Sequence, residues 1–204
     1  MTRTVPTLLF AGLLLTLDAP AMADMLQEIK AGKVIVHSLP TKAGPATGRA
    51  IAMIEAPTSI VLDIISRFDL YKQFVPRVTE SRRVKPDKFV VEARLPWPVN
   101  RAWVYVGVER KVTGPTAFLR WRMLNGTFKF YEGMAWIQPL DAKRTLLTYQ
   151  MLSVPKTAAP DSLISGGLRD AVRSMVKAVR ERAAVTLARQ KSSLPVSGPK
   201  VAAQ

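Results

Sequence analysis

Few side chains in this 204-residue chain have the chemistry for covalent catalysis. There is no cysteine, so no thiolate nucleophile and no thiolate metal site, and the single histidine is His37. One histidine supports neither an ordinary zinc ligand set nor a Cys/His pair. His37 stands between Val36 and Ser38 in a strand-like stretch, the setting of a surface or edge residue more than of a base. Ser165, beside Gly166 and Gly167, lacks the strand–Gly-x-Ser-x-Gly–helix context of a hydrolase nucleophile. Glu55, Asp63, Asp69, Glu109 and Glu132 are the carboxylates available for acid–base work, and the abundant Arg and Lys can pair with them. No catalytic residue, metal site or cofactor is assigned from the sequence.

Apolar and aromatic side chains are the richer inventory. Tyr71, Phe74, Val91, Leu95, Trp97, Trp103, Leu119, Trp121, Met123, Tyr131, Tyr149, Met151, Leu168, Val172 and Met175 form the candidate ligand-binding set. Pockets for small apolar molecules are lined mainly by such groups, with a few polar anchors. Each residue alone would equally suit a plain core. The binding hypothesis rests on the inward face they share.

The elements that must position this set are legible from periodicity. Apolar residues recur at Ile164, Leu168, Val172, Met175, Val179, Ala183 and Leu187, which predicts one long amphipathic helix over 161–190. Thirty residues at 1.5 Å each span roughly 45 Å, enough to cross a sheet. Before it come strand-like segments at 33–39, 48–56, 78–84, 89–95, 103–112, 117–123, 128–137 and 145–152. Turn-forming residues separate most of them, and Asn125-Gly126 is the strongest hairpin signal. Short connections of this kind suit antiparallel neighbours. Pro57 suits a helix start, predicting a short helix over 60–65 and a further helical turn over 68–74, ended by Pro76. Alternation places Phe89, Val91, Ala93 and Leu95 inward, likewise Ala117, Leu119, Trp121 and Met123. Leu147, Tyr149 and Met151 alternate with Leu146, Thr148 and Gln150, whereas 128–136 is apolar on both faces and is not oriented by alternation.

At the N-terminus, Arg3 precedes an eleven-residue apolar run over 7–17, and Ala21-Met22-Ala23 fits a small-residue cleavage pattern. The run is short for a transmembrane helix, so residues 1–23 read as a signal peptide cleaved after Ala23, with a retained anchor as the alternative. A periplasmic or secreted protein is expected. Export permits disulfides, yet without cysteine the domain must be held by its core alone. The formal net charge is +15, which draws anionic partners to the surface. For an exported chain that partner is anionic lipid, not nucleic acid. Arg169, Arg173, Lys177, Arg180, Arg182, Arg189 and Lys191 flank the apolar stripe of the long helix and are expected to support transient membrane contact. The Ser/Pro/Gly/Ala-rich residues 192–204 read as a disordered tail.

Two stretches carry a family resemblance. Ala56-Pro57-Thr58-Ser59-Ile60-Val61, followed by Phe68-Asp69-Leu70-Tyr71-Lys72-Gln73-Phe74-Val75-Pro76-Arg77-Val78, resembles the opening of the START-like (SRPBCC) superfamily. More narrowly it is similar to the coenzyme Q-binding and polyketide cyclase/dehydrase-type group. Leu95-Pro96-Trp97-Pro98 with Arg101, then 133–139, 145–149 and the terminal helix, resemble later landmarks of that group. Leu62 stands where members often carry Trp, and Arg67 where they often carry Asp. The resemblance implies an α+β helix-grip fold over 24–191, a curved antiparallel β-sheet wrapped around a long C-terminal α-helix. It also implies a cavity between sheet and helix for a hydrophobic ligand: a lipid, quinone, sterol or similar. A binding or carrier protein is the expected function. A cyclase or dehydratase acting on a polyketide or aromatic substrate is the alternative, and a module binding acidic partners through its surface is a third reading.

Overall fold

Alternating strands with short connections can bury one face only by pairing in sequence and bending over a helix. The computed structural model describes residues 19–41, 47–95, 100–156 and 160–192. Its elements are α1 (Ala19–Lys30), β1 (Ile35–Leu39), β2 (Thr47–Ile54), α2 (Thr58–Ser66), a 3-10 segment (Phe68–Gln73), β3 (Val78–Lys85), β4 (Lys88–Arg94), β5 (Arg101–Thr113), β6 (Thr116–Gly126), β7 (Phe128–Pro139), β8 (Thr145–Pro155) and α3 (Asp161–Ser192). The strands form one antiparallel sheet in the order β1-β2-β8-β7-β6-β5-β4-β3. This is the α+β helix-grip arrangement expected from the sequence.

Helix α3 does not lie evenly across the sheet. It packs on β1, β2, β8 and α2, whereas the 3-10 segment packs on β3 and β4 at the other end. Glycine sets the closeness of the first contact. A Cβ at Gly48 would stand 2.9 Å from the Leu168 carbonyl oxygen, so only a bare backbone lets β2 and α3 approach this far. Arg180 fastens the same side by donating to the carbonyl oxygens of Gly32 and Met53. Arg182 reaches Gln73 and covers the Phe74 ring, and Arg169 donates to Ser38. Three of the seven basic residues on α3 thus serve internal contacts.

The core sits under α2 and the middle of the sheet. Val61, Leu62, Ile64 and Ile65 are buried against Phe68, Phe89, Leu119, Trp121, Ile137 and Leu147. Trp121 is sealed at the centre, tilted over Tyr149 at 5.1 Å and edge-on to Phe68 at 5.7 Å. Gly133 makes room for it, because a Cβ there would fall 2.2 Å from the indole ring. The buried Thr145 hydroxyl is satisfied by the Ala56 carbonyl at 2.7 Å.

Three features depart from the sequence reading. Helix α1 runs through the expected cleavage point, and among its described side chains only Ile29 is buried. Its apolar residues continue the leader, which is why periodicity alone hides it. Asn125-Gly126 forms the end of β6 and not a tight two-residue turn. The chain stays paired with β5 through Gly126, and the last β6–β7 pair is Arg122 with Glu132. Strand β8 runs on to Pro155, beyond the expected end at residue 152. The apolar leader over 7–17 and the tail over 193–204 lie outside the described residues.

Candidate ligand cavity

Where α3 leaves the sheet at its N-terminal end, the space beneath it is not filled. A cavity of about 500 Å³ opens between residues 162–175 of α3, the 75–78 segment and the inner faces of β4, β5, β7 and β8. Sites for single small molecules fall in the range of about 300–1,000 Å³. The sheet wall is mostly apolar: Val91, Ala93 and Leu95, then Ala102 and Val104, then Phe128, Tyr131, Tyr149 and Met151. On β4 and β8 every second residue faces the cavity, as in a regular pleat.

Strand β7 resolves its two-faced sequence by a register shift. The pairing slips between Phe128 and Phe130, so one residue is added to the strand there. Phe128 and Tyr131 are three apart and would face opposite ways in a regular strand. The shift turns both into the cavity, with ring centroids 5.6 Å apart. Phe130 and Trp136 are left on the outer face and are exposed.

Helix α3 presents two different stripes. The apolar residues Leu168, Val172, Met175 and Val179 face inward and are buried. Beside them Ser162, Gly166, Gly167, Asp170, Ala171 and Ser174 recur at three- and four-residue spacing and line the cavity roof with small side chains. Gly167, Asp170, Ala171 and Ser174 are exposed, as are Pro76 and Arg77 opposite, so the mouth lies between them. Arg77 adopts a left-handed backbone (φ +67°), uncommon for a side-chain-bearing residue. Leu163, 47% exposed, stands on the same rim.

Nine of the fifteen predicted site residues come together here: Tyr71, Val91, Leu95, Trp103, Tyr131, Tyr149, Met151, Leu168 and Met175. Trp103 does so from the edge. It lies between the inward Ala102 and Val104 and is 38% exposed. Phe74, Leu119, Trp121, Met123 and Val172 do not reach the lining. Leu119, Trp121 and Val172 share the inward face but are fully buried in the packed core, and neighbouring side chains separate them from the cavity. Phe74 and Met123 pack on the outside of that core, and Phe74 is capped by Arg182. Trp97 lies outside the described residues. Sequence reasoning missed the roof. The apolar periodicity of α3 drew attention to the buried stripe, whereas the small-residue stripe next to it was the available signal.

Polar chemistry in the cavity is divided between its ends. Asp170 is the one carboxylate among the described lining residues; it is exposed and lies 3.7 Å from Arg173. The inner end holds phenols. Burial pushes the Tyr131 hydroxyl up to about 12, an effect partly offset by the Trp121 indole. Burial also lifts Tyr71 and Tyr149 well above the ordinary phenol value. These groups stay protonated at neutral pH and can donate hydrogen bonds. The other carboxylates singled out in the sequence lie elsewhere. Asp69 pairs with Arg67 and Arg83, and Glu132 sits 3.7 Å from Arg120. His37 is exposed on the edge strand β1.

Neither a protein-family model nor a curated protein matches the chain. Solved structures do. A START superfamily protein from Mycobacterium smegmatis superposes with a TM-score of 0.60 at 16% identity, covering 69% of this chain and 98% of its own. The STAR-related lipid transfer protein of Xanthomonas axonopodis gives 0.65 at 17% identity, covering 74% and 93%. Human STARD10 gives 0.62 at 13% identity, covering 87% and 84%. At these identities the likeness establishes the fold, and the chain has the START-like helix-grip fold.

Proposed function

We propose that this protein binds a hydrophobic small molecule in the cavity under the N-terminal half of α3 and acts as its carrier. The observation that supports this best is the cavity itself, an open apolar space at the point where helix and sheet diverge. Every 100 Å² of ligand surface removed from water there is worth about 2.5 kcal/mol. The similarity to a protein named for lipid transfer agrees with such a role. Turnover is the weaker reading, because the sole described carboxylate of the lining is at the exposed mouth while the phenols are inside and held protonated.

The leader-like sequence of residues 1–23 supports the further reading that the carrier is exported to the envelope of a Gram-negative bacterium, where anionic lipid is the available surface. Arg77 supplies charge at the mouth that the exposed Leu163 also lines, and the exposed Arg173 and Lys177 add charge farther along α3. Each basic residue near an anionic surface contributes about 1 kcal/mol to transient docking. The test is extraction and mass spectrometry of protein purified from its native envelope. A lipid, quinone, sterol or comparable hydrophobe enriched over a denatured control is expected. Recovery of none would overturn the carrier reading.

A further inference from the structure

The inner end of the cavity holds more hydrogen-bond donors than the protein uses. Of its three tyrosines, Tyr71 is committed, since its hydroxyl donates to the Ile65 carbonyl at 2.7 Å. The hydroxyls of Tyr131 and Tyr149 donate to no protein acceptor among the described residues. Behind them, the buried Trp121 Nε1 makes no well-formed hydrogen bond; it acts on the Tyr131 oxygen and leaves that hydroxyl's proton free to donate. The indole tilts over Tyr149 and acts on the Tyr131 phenol, so the three groups form one cluster. Donors that face a cavity and have no protein acceptor must be met there by water or by a ligand. A cluster of them on a cavity wall is complementary to an acceptor brought by a ligand.

The sign of that acceptor follows from what surrounds it. The cationic group of the described lining, Arg77, is exposed at the mouth, and the inner wall offers neutral donors among Phe128, Val104 and Met151. A carboxylate or phosphate buried there would lose its water without gaining a counter-charge. A carbonyl, ether or hydroxyl oxygen would exchange one set of hydrogen bonds for another.

Building on the hydrophobic-ligand reading, we propose that the ligand carries a neutral oxygen acceptor at its buried end, seated against the hydroxyls of Tyr131 and Tyr149. Its apolar body extends toward the mouth under Gly167 and Ala171. Any charged group it carries is left outside, beside Arg77.

A near-isosteric pair tests this directly: 2-acetylnaphthalene, which bears the oxygen, and 2-ethylnaphthalene, which does not. Each is titrated against the neutral fluorophore N-phenyl-1-naphthylamine bound to the wild-type chain and to the Tyr131→Phe/Tyr149→Phe double variant. The wild type is expected to bind the ketone about tenfold more tightly than the hydrocarbon. In the double variant the two should agree within about twofold, with the circular dichroism spectrum intact. Equal affinities in the wild type, or a ketone preference that survives both substitutions, would overturn the polar end while leaving the hydrophobic cavity standing. Failure of the fluorophore and both compounds to bind would overturn the two readings together. The wild-type comparison needs no variant, so a folding defect in the double mutant cannot mask the answer.

Discussion

Along the C-terminal half of α3, Val176, Ala178, Val179 and Ala183 are all buried, and the helix lies close on β2 with Arg180 bonded to two backbone carbonyls beneath it. Along the N-terminal half the same helix carries Gly166, Gly167, Ala171 and Ser174 over an open cavity. Both halves keep apolar residues at helical spacing, so the pattern that builds a core also frames a space. The difference lies in what stands opposite. The sheet and α2 fill one half, while at the other no described helix or strand fills the space between α3 and the sheet wall. Leu168 and Gly48 mark the near edge of the contact, and Met175 is the last buried side chain shared by core and cavity.

The sharpest way to break this comparison is to place a charge in each half. Val179→Asp buries an unpaired carboxylate in a filled core and should cost more than about 4 kcal/mol, enough to prevent cooperative folding. Ser174→Asp, on the exposed roof, should change stability by no more than about 1 kcal/mol yet weaken binding of an apolar fluorophore. Thermal melts of the two variants decide the matter, and equal destabilisation would contradict the division.

Alkaline titration probes how dry the cavity end is. The Tyr131 phenol is pushed up to about 12 from an ordinary value of 10, so its contribution is fully present below pH 10 and is lost as pH rises through 12. The loss amounts to about 2–3 kcal/mol at about 1.4 kcal/mol per pH unit. Absorbance at 295 nm, followed with circular dichroism, should show this phenol ionising together with unfolding between pH 10 and 12. Ionisation at its ordinary value with the fold intact would mean that the wall is wetted.

Gly48→Ala tests the close approach of α3 to β2 at the edge of the cavity. Its Cβ would press on the Leu168 backbone, which can move only if α3 lifts from β2. A cost of about 1–3 kcal/mol and an altered fluorophore affinity are expected, read from denaturant melts and titration. Gly167→Ala is the smallest effect and has the opposite sign. A Cβ there meets nothing within 4 Å, so the substitution should stabilise the helix by about 1 kcal/mol. If opening of this segment admits the ligand, the same change should slow fluorophore release in stopped-flow measurements.

Much of this organisation was legible in the sequence. The period of α3, the succession of strands along the chain and the inward sets of β4 and β6 follow from side-chain periodicity, which depends only on local geometry. Alternation assigns a face but not a position on it. Leu119 and Trp121 share a face with Tyr131 and Met151 across the sheet, and only the tertiary placement of α2 and α3 makes the first pair core and the second pair cavity wall. The pairing slip beside Phe128 was illegible for a related reason, since a register shift is decided between strands. The roof was legible in principle. Small residues at 166, 167, 170, 171 and 174 keep helical spacing, but small side chains give a weak signal next to Leu and Met.

The most direct test of the whole account is a titration with N-phenyl-1-naphthylamine of the wild type and of Ala171→Trp, in which an indole is placed in the mouth. Saturable one-to-one binding to the wild type is predicted, reduced at least about tenfold in Ala171→Trp while the melting temperature stays within a few degrees. No saturable binding to the folded wild type, or undiminished binding to the variant, would show that the space beneath the N-terminal half of α3 is not the ligand site.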